Sequence, residues 1–358
     1  MSAKPKAQIN QQKMEAFLGK IVGDLGAALS VNLTHIGDRL GIYKEMERSG
    51  PATSEELAIR MELSERYIRE WLLHQAASGY VEYDPETKKY MLTEEQAAAL
   101  ADEESPFFVA GGFQIASAMA RSTDRISDNF RSGNGMGWGE HHSDLFNGTE
   151  RFCRASYIGN LIGSWLPALD GVVAKLQQGA VVADVGCGHG ASTILMAGAF
   201  PKSKFYGFDY HPPSIETARI TAREVGVGDN CRFETATSTD YPDHRYDLVT
   251  FFDCLHDMGD PEGACKHAKE TLKPGGSVMI VEPMAGSTTE SNFNPVGRLY
   301  SGASVLCCTP NAIASGPIAL GTIAPDDEFR KIAALAGLKK FRRAMETPFN
   351  RVFEAKVG

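Results

Sequence analysis

The chain has 358 residues, 43% of them hydrophobic and 23% charged, with a formal net charge of −9. That length exceeds one ordinary core and predicts two domains, and the acidic balance argues against a surface built to hold phosphates of a nucleic acid. With no signal-peptide pattern, no apolar run read as long enough to cross a bilayer, and seven scattered cysteines lacking a C-x-x-C, a cytoplasmic protein with reduced thiols and no zinc site is expected.

After a polar, fraying start (residues 1–13), residues 13–47 carry Phe17, Ile21, Leu25, Ala28 and Leu29 at helical spacing. Thr53 with Glu56 three positions on reads as a capping box opening a short helix, 54–61. Ser64 caps a second, 65–77, which Gly79 ends. Residues 80–83 and 89–92 flank the turn Asp84-Pro85-Glu86-Thr87 and read as a hairpin. Three helices and a hairpin resemble a winged helix. Its would-be recognition helix sets Arg66 and Arg69 against Glu65 and Glu70, a mixed face for a DNA reader.

Residues 107–120 and 151–176 read as helices joined by a loop rich in Gly, Ser and aromatic residues, 132–150. A loop of that length suits a lid, with Trp138, His141, His142 and Phe146 as candidates to line a pocket. The adjacent histidines point apart and have no carboxylate at ligand spacing, so no metal is expected.

The most informative stretch is Ala180–Phe200. An apolar strand leads to Gly186, Gly188 and Gly190 and then to an Ala-rich helix. Glycine admits a close backbone approach, and a helix start offers unpaired N–H groups to an anionic ligand group. Asp184 lies inside the strand end. Residues 204–208 form the next strand, and Asp209 stands at its tip, about 20 residues past the glycines, the spacing of a ribose-binding acid. This pattern resembles the class I S-adenosylmethionine (SAM)-dependent methyltransferases. The resemblance implies that Gly186, Gly188 and Gly190 cradle the methionine part of SAM. Asp184 would hold its amino group through the loop or water, and Asp209 would bind the ribose. The loop 236–238 would reach the adenine through Thr237, where the family usually has an acid, and Tyr210 would pack on its face. The same glycines also satisfy the looser G-x-G-x-x-G/A fingerprint of nicotinamide enzymes, against which Asp184 speaks, since a pyrophosphate disfavours a carboxylate beside its loop.

Beyond this point strands and helices alternate, as in a parallel sheet wrapped by helices. The apolar strand 246–252 runs into Asp253-Cys254-Leu255-His256-Asp257-Met258. Ligands of open α/β sheets bind outside the carboxyl ends of strands, which puts His256 and Asp257 where chemistry occurs, with Asp253 a further candidate to bind the cofactor. The segment resembles the LHDW-x-D-type motif of small-molecule O-methyltransferases, in which the histidine deprotonates a substrate hydroxyl. By that resemblance Glu282, ending the strand 275–282 after the turn Lys273–Gly276, orients the histidine. The family's second acid, before the helix near Glu328, falls here on Ile323. Residues 283–322 read as helices over the pocket, 326–337 as a helix, and 340–343 with 351–356 as a final antiparallel hairpin.

The expected fold is α/β, a Rossmann-like, seven-stranded, doubly wound sheet (179–358) behind an α-helical winged-helix domain (1–103), with a helical linker and substrate lid (104–178). The expected function is transfer of a methyl group from SAM to a hydroxyl or amine of a small apolar or aromatic molecule, by a homodimer that uses neither nucleic acid nor membrane. A SAM-sensing or DNA-binding regulator and a nicotinamide oxidoreductase are the alternatives.

Overall fold

The computed structural model describes residues 9–358 and separates into two units, one up to Glu103 and one from Glu104 to Gly358. The polar start read from the sequence lies, as far as Gln8, outside the described residues.

In the first unit the helical pattern over 13–47 breaks at Leu40–Gly41 into helices Gln11–Arg39 and Ile42–Ser49, because Gly41 turns the chain at φ +73°. Two helices follow, Ser54–Met61 and Glu65–Ala77, then the hairpin of β1 (Glu82–Asp84) and β2 (Lys89–Met91), and the helix Glu94–Leu100. The capping box forms: Thr53 Oγ1 accepts from Glu56 N at 3.2 Å and the Glu56 carboxylate accepts from Thr53 N at 2.9 Å. Ile42, Tyr43, Leu57, Ile68, Trp71 and Leu72 are buried together. Trp71 Nε1 donates to the Leu33 carbonyl at 2.8 Å and Tyr43 Oη to Gln75 at 2.7 Å, so both amphipathic rings have partners for their polar ends. On the helix Glu65–Ala77, Arg66 pairs with Glu70 and Arg69 with Glu65. Against expectation, Gln11–Arg39 is long and apolar enough to cross a bilayer by length and composition alone. Phe, Leu, Ile and Val spaced among small and polar residues, rather than one unbroken run, give it that character, and Phe17, Leu18, Val22, Leu25 and Leu29 are exposed along it.

The second unit is organised by a seven-stranded sheet. Its strands in chain order are β3 (Val181–Val185), β4 (Lys204–Asp209), β5 (Cys231–Thr235), β6 (Tyr246–Phe252), β7 (Leu272–Pro283), β8 (Lys340–Glu346) and β9 (Asn350–Lys356), and the spatial order is β5-β4-β3-β6-β7-β9-β8. All pairings from β5 to β7 are parallel, and β9 runs antiparallel to β7 and β8. The chain builds outward from β3 to β5, returns, and builds the other way from β6. The crevice at that reversal, outside the ends of β3 and β6, is where ligands of such sheets bind.

The period of two along buried strands divides the core into two layers. Val182, Leu248, Met279 and Val281 face Met196, Ala197, Ile215 and Ala218 of the helices Ala191–Ala199 and Pro212–Glu224. Val185, Val249, Phe251 and Ile280 face Ala264, Cys265, Phe329 and Ile332 of the helices Pro261–Thr271 and Asp326–Leu335. The turn expected at Lys273–Gly276 is absorbed into β7 as an irregularity, where the register with β6 shifts between Tyr246 and Leu248.

The long loop read over 132–150 is half helix. A 3-10 turn spans Trp138–Glu140, and a helix runs from Ser143 to Asn160, capped where His142 Nδ1 accepts from Asp144 N. Gly148, read as a loop glycine, is a crossing point: a Cβ there would lie 2.9 Å from the Gly111 carbonyl, and one on Gly111 2.8 Å from that of Gly148. The two glycines let the helix Ala110–Ala120 pack directly on Ser143–Asn160. The single helix expected over 151–176 ends in a π turn, Leu161–Trp165, before a separate helix Val172–Gln178. The insertion 283–322 is helical as read: Pro295–Ala303, a π turn Ser304–Cys308, and Thr309–Ser315.

Phe251 is fully buried on the central strand β6. Phe251→Ala is expected to cost the second unit about 3–5 kcal/mol, read as a lowered urea midpoint with an unchanged slope.

Candidate active site

A cavity of about 530 Å³ opens at the carboxyl ends of the parallel strands. One wall is the glycine turn after β3. Gly186, Gly188 and Gly190 have φ of +76°, +53° and +83°, a conformation that L side chains resist. The three differ in what surrounds them. A Cβ on Gly186 would lie 2.8 Å from Cys254 Sγ, and one on Gly190 2.6 Å from the Phe233 ring. A Cβ on Gly188 would meet nothing within 4 Å and would occupy the cavity itself. Gly186 and Gly188 line the cavity; Gly190 does not, and serves the packing of the turn on β5.

Asp184, expected to reach a ligand through the loop or water, does not line the cavity. It is buried, and its carboxylate accepts from Ser192 Oγ and Thr193 Oγ1 at 2.6 Å each and from Thr250 Oγ1 at 3.1 Å. Burial pushes its pKa up while the three hydroxyls pull against that shift. The carboxylate thus ties β3 to the start of the helix Ala191–Ala199 and to β6, and so fixes the glycine turn from beneath.

Asp209 ends β4 on the cavity wall. Its Oδ2 accepts from Gly188 N at 2.9 Å and its Oδ1 from His211 N at 2.8 Å. Each oxygen keeps a lone pair for a hydroxyl of a ligand. Burial raises its pKa, opposed by those two backbone bonds. Tyr210 follows on the rim, its hydroxyl donating to Asn311 at 3.2 Å. Thr237 lines the cavity with Ala236 and Ser238, and its hydroxyl donates to Asp240 at 2.7 Å, leaving an oxygen lone pair to accept.

From β6, Asp253 enters at φ +51° and accepts from Asn350 Nδ2 at 3.0 Å. Burial, then the Glu282 charge, push its pKa up to about 7. Asp257 also lines the cavity and is pushed up to about 7, by burial first and with His256 opposing.

His256 and Glu282 come together as expected, with Nδ1 2.6 Å from Glu282 Oε2, both side chains buried. Burial works against the imidazolium, but Glu282 and the Cys308 thiol beside the ring outweigh it and hold the His256 pKa well above its usual value. His256 itself, expected where chemistry occurs, is buried and does not line the cavity, although Cys254 and Asp257 of the same segment do. Ile323, where the family would place a second acid, offers no polar group.

Of the lid residues, Trp138 and Phe146 line the cavity and pack on one another at 5.2 Å. His141 is buried away from it, and His142 is taken up by Arg121 and Asp144. The sequence reading missed the wall from the helix Ser143–Asn160, including Glu150, read as the end of the loop, and Cys153 and Tyr157, read as an ordinary helix face. It also missed Asn311, which reaches Tyr210, the Trp138 amide and the Asp257 carbonyl and joins lid to sheet; a lone Asn in an apolar insertion carries no spacing signal.

Residues 176–324 match the family described as Methyltransferase domain, and residues 27–102 match the Rv2258c-like winged HTH domain. A ubiquinone biosynthesis O-methyltransferase of Chelativorans sp. (strain BNC1) is 28% identical over 46% of this chain, and one of Shewanella sp. (strain ANA-3) is 36% identical over 36%. The chain spans 61% and 51% of the length of these two relatives. The fold is similar to human N-acetylserotonin methyltransferase solved with SAM (TM-score 0.71, 16% identity, 98% of this chain and 99% of that one). It is similar also to an O-methyltransferase family protein from Burkholderia thailandensis (TM-score 0.70, 16% identity, 98% and 99%).

Asp253 and Asp257, with pKa values raised to about 7, contribute stability that is full below their unfolded values of about 4 and is lost as pH rises through about 7. The melting temperature of the unliganded protein is expected to fall across that window. Asp253→Asn should remove part of the fall, and the double variant with Asp257→Asn more of it.

Proposed function

We propose that this chain, built from a winged HTH domain and a methyltransferase domain, moves a methyl group from SAM to a hydroxyl of a small molecule. The observation that carries the reading is the buried His256–Glu282 pair in the segment after β6 whose residues Asp253, Cys254 and Asp257 line the cavity shared with the glycine turn and Asp209. When bound, SAM supplies an electrophilic methyl on a sulfonium.

The residues present fit that group. The open Cβ position of Gly188 leaves room for it against the turn, and Asp209 offers free lone pairs to ribose hydroxyls. Thr237 and Tyr210 stand where the adenine would lie, and Asp253 provides negative charge toward an ammonium or sulfonium. Glu282 fixes the imidazole by holding Nδ1; Nε2 would take the proton of the acceptor hydroxyl in place of its contact with the Cys308 thiol. His256 gives up its proton more readily once a cation occupies the cavity, since like charges repel; it then serves as the general base. Trp138, Phe146 and Tyr157 supply apolar surface for an aromatic or apolar acceptor and exclude water from the reacting oxygen.

For the first unit we infer assembly of a homodimer rather than DNA reading, in a cytoplasmic enzyme. The exposed apolar stripe Phe17, Leu18, Val22, Leu25 and Leu29 supports a protein contact. The internal ion pairs of Arg66 and Arg69 leave little free positive charge for phosphates.

Calorimetry is expected to show SAM binding that Asp209→Ala abolishes. In a screen of small hydroxylated aromatics with methyl-labelled SAM, His256→Ala should bind SAM as the parent does yet transfer label about 10²–10⁴-fold more slowly. A folded protein that binds no SAM would overturn the reading; full turnover in His256→Ala would overturn the base.

A further inference from the structure

Glu282 uses only one of its carboxylate oxygens on His256; the other, Oε1, is buried without a partner. Directly across the antiparallel β7–β9 pairing stands Arg351, register partner of Glu282, and cross-strand partners share a face of the sheet. Arg351 is fully buried. Its Nε donates to the Pro283 carbonyl at 2.8 Å, and its Nη1 to the Ala324 carbonyl at 3.0 Å and to Asp326 Oδ1 at 2.8 Å. Its guanidinium is stacked over Phe329 and Phe353. Its remaining nitrogen, Nη2, is buried and unpartnered like Glu282 Oε1. A buried cation set opposite a buried carboxylate across the strand pair, each keeping one unpartnered polar atom and coupled through its charge, forms an electrostatic unit rather than a packing accident.

We propose that Arg351, held in place by Asp326, is a positioning residue for the His256–Glu282 pair. The inference rests on the reading of His256 as base. Its logic is one of sign. Glu282 favours a protonated imidazole, which by itself would leave the base occupied. Arg351 places a positive charge on the far side of Glu282 and offsets that pull. Asp326, which also pairs with Arg343 at 2.9 Å, tempers Arg351 in turn. The other titratable groups around the pair are Asp253 and Asp257 after β6, Cys308 in the π turn and Cys265 on the helix Pro261–Thr271. None of these is a cation; Arg351, the register partner of Glu282, supplies the positive charge nearest to it in the sheet, with Arg343 further out on Asp326.

The test is a pH titration of the His256 imidazole by NMR on the full chain labelled at histidine, with the resonance assigned by its loss in His256→Gln. Arg351→Met should move the midpoint up, Asp326→Asn should move it down, and Arg351→Lys should stay near the parent. Shifts in opposite directions are not what loosened packing produces. An unchanged midpoint in Arg351→Met, or a shift of both variants in one direction, would overturn the proposal. If Arg351→Met does not fold, the half-exposed Asp326→Asn decides alone: a downward shift supports the proposal, and an unchanged or upward one overturns it. The titration needs no methyl acceptor, so it stands or fails separately from methyl transfer, for which SAM calorimetry on the same variants is the control.

Discussion

The site depends on one buried carboxylate. Asp184 holds two hydroxyls from the helix that follows the glycine turn and one from the neighbouring strand β6. A fully buried acid is costly unless its hydrogen bonds are satisfied, and here three donors from two other elements satisfy it. The consequence is geometric. The turn 186–190 starts and ends at fixed points, so the backbone can hold three positive-φ glycines at alternate positions, with Gly188 on the cavity wall. Asp209, whose carboxylate is bonded to the Gly188 amide, then stands at a set distance from that turn. The ligand-facing carboxylate is therefore positioned by one that faces no ligand.

Much of the second unit was legible. The strand 246–252, the helix after the glycine turn and the antiparallel ending follow from apolar runs, glycine punctuation and alternation, which are local signals. Asp209 was placed on the cavity wall because it ends a strand, where ligands of such sheets bind, whereas the contact of His256 with Glu282 was an expectation of the family resemblance. Asp184 was placed on the right strand but given the wrong neighbours: a sequence does not say which hydroxyls will converge on a buried carboxylate. Gly148 was read as a loop because its role, a close crossing of two helices, is a property of the partner helix. Arg351 escaped notice altogether. In the sequence it is one charged residue in a terminal strand, and only the β7–β9 register shows that it faces Glu282.

The arrangement of charge gives the account its coherence. Asp253, Asp257 and Glu282 gather negative charge at the ends of β6 and β7, in a setting where burial resists it. Such a site is unfavourable to itself when empty and favourable to a cation. A sulfonium suits it on the same ground that a dinucleotide pyrophosphate does not. Arg351 is fully buried and does not line the cavity, so it presents no positive charge to a ligand there.

The most direct test is calorimetric titration with SAM and with S-adenosylhomocysteine, which lacks the sulfonium charge, at pH values below and above the titration of Asp253 and Asp257 at about 7. The account predicts that both bind and that raising the pH tightens SAM more than the neutral thioether. Equal pH dependence of the two would contradict the charge argument, and binding of neither by folded protein would remove the cofactor on which the whole reading rests.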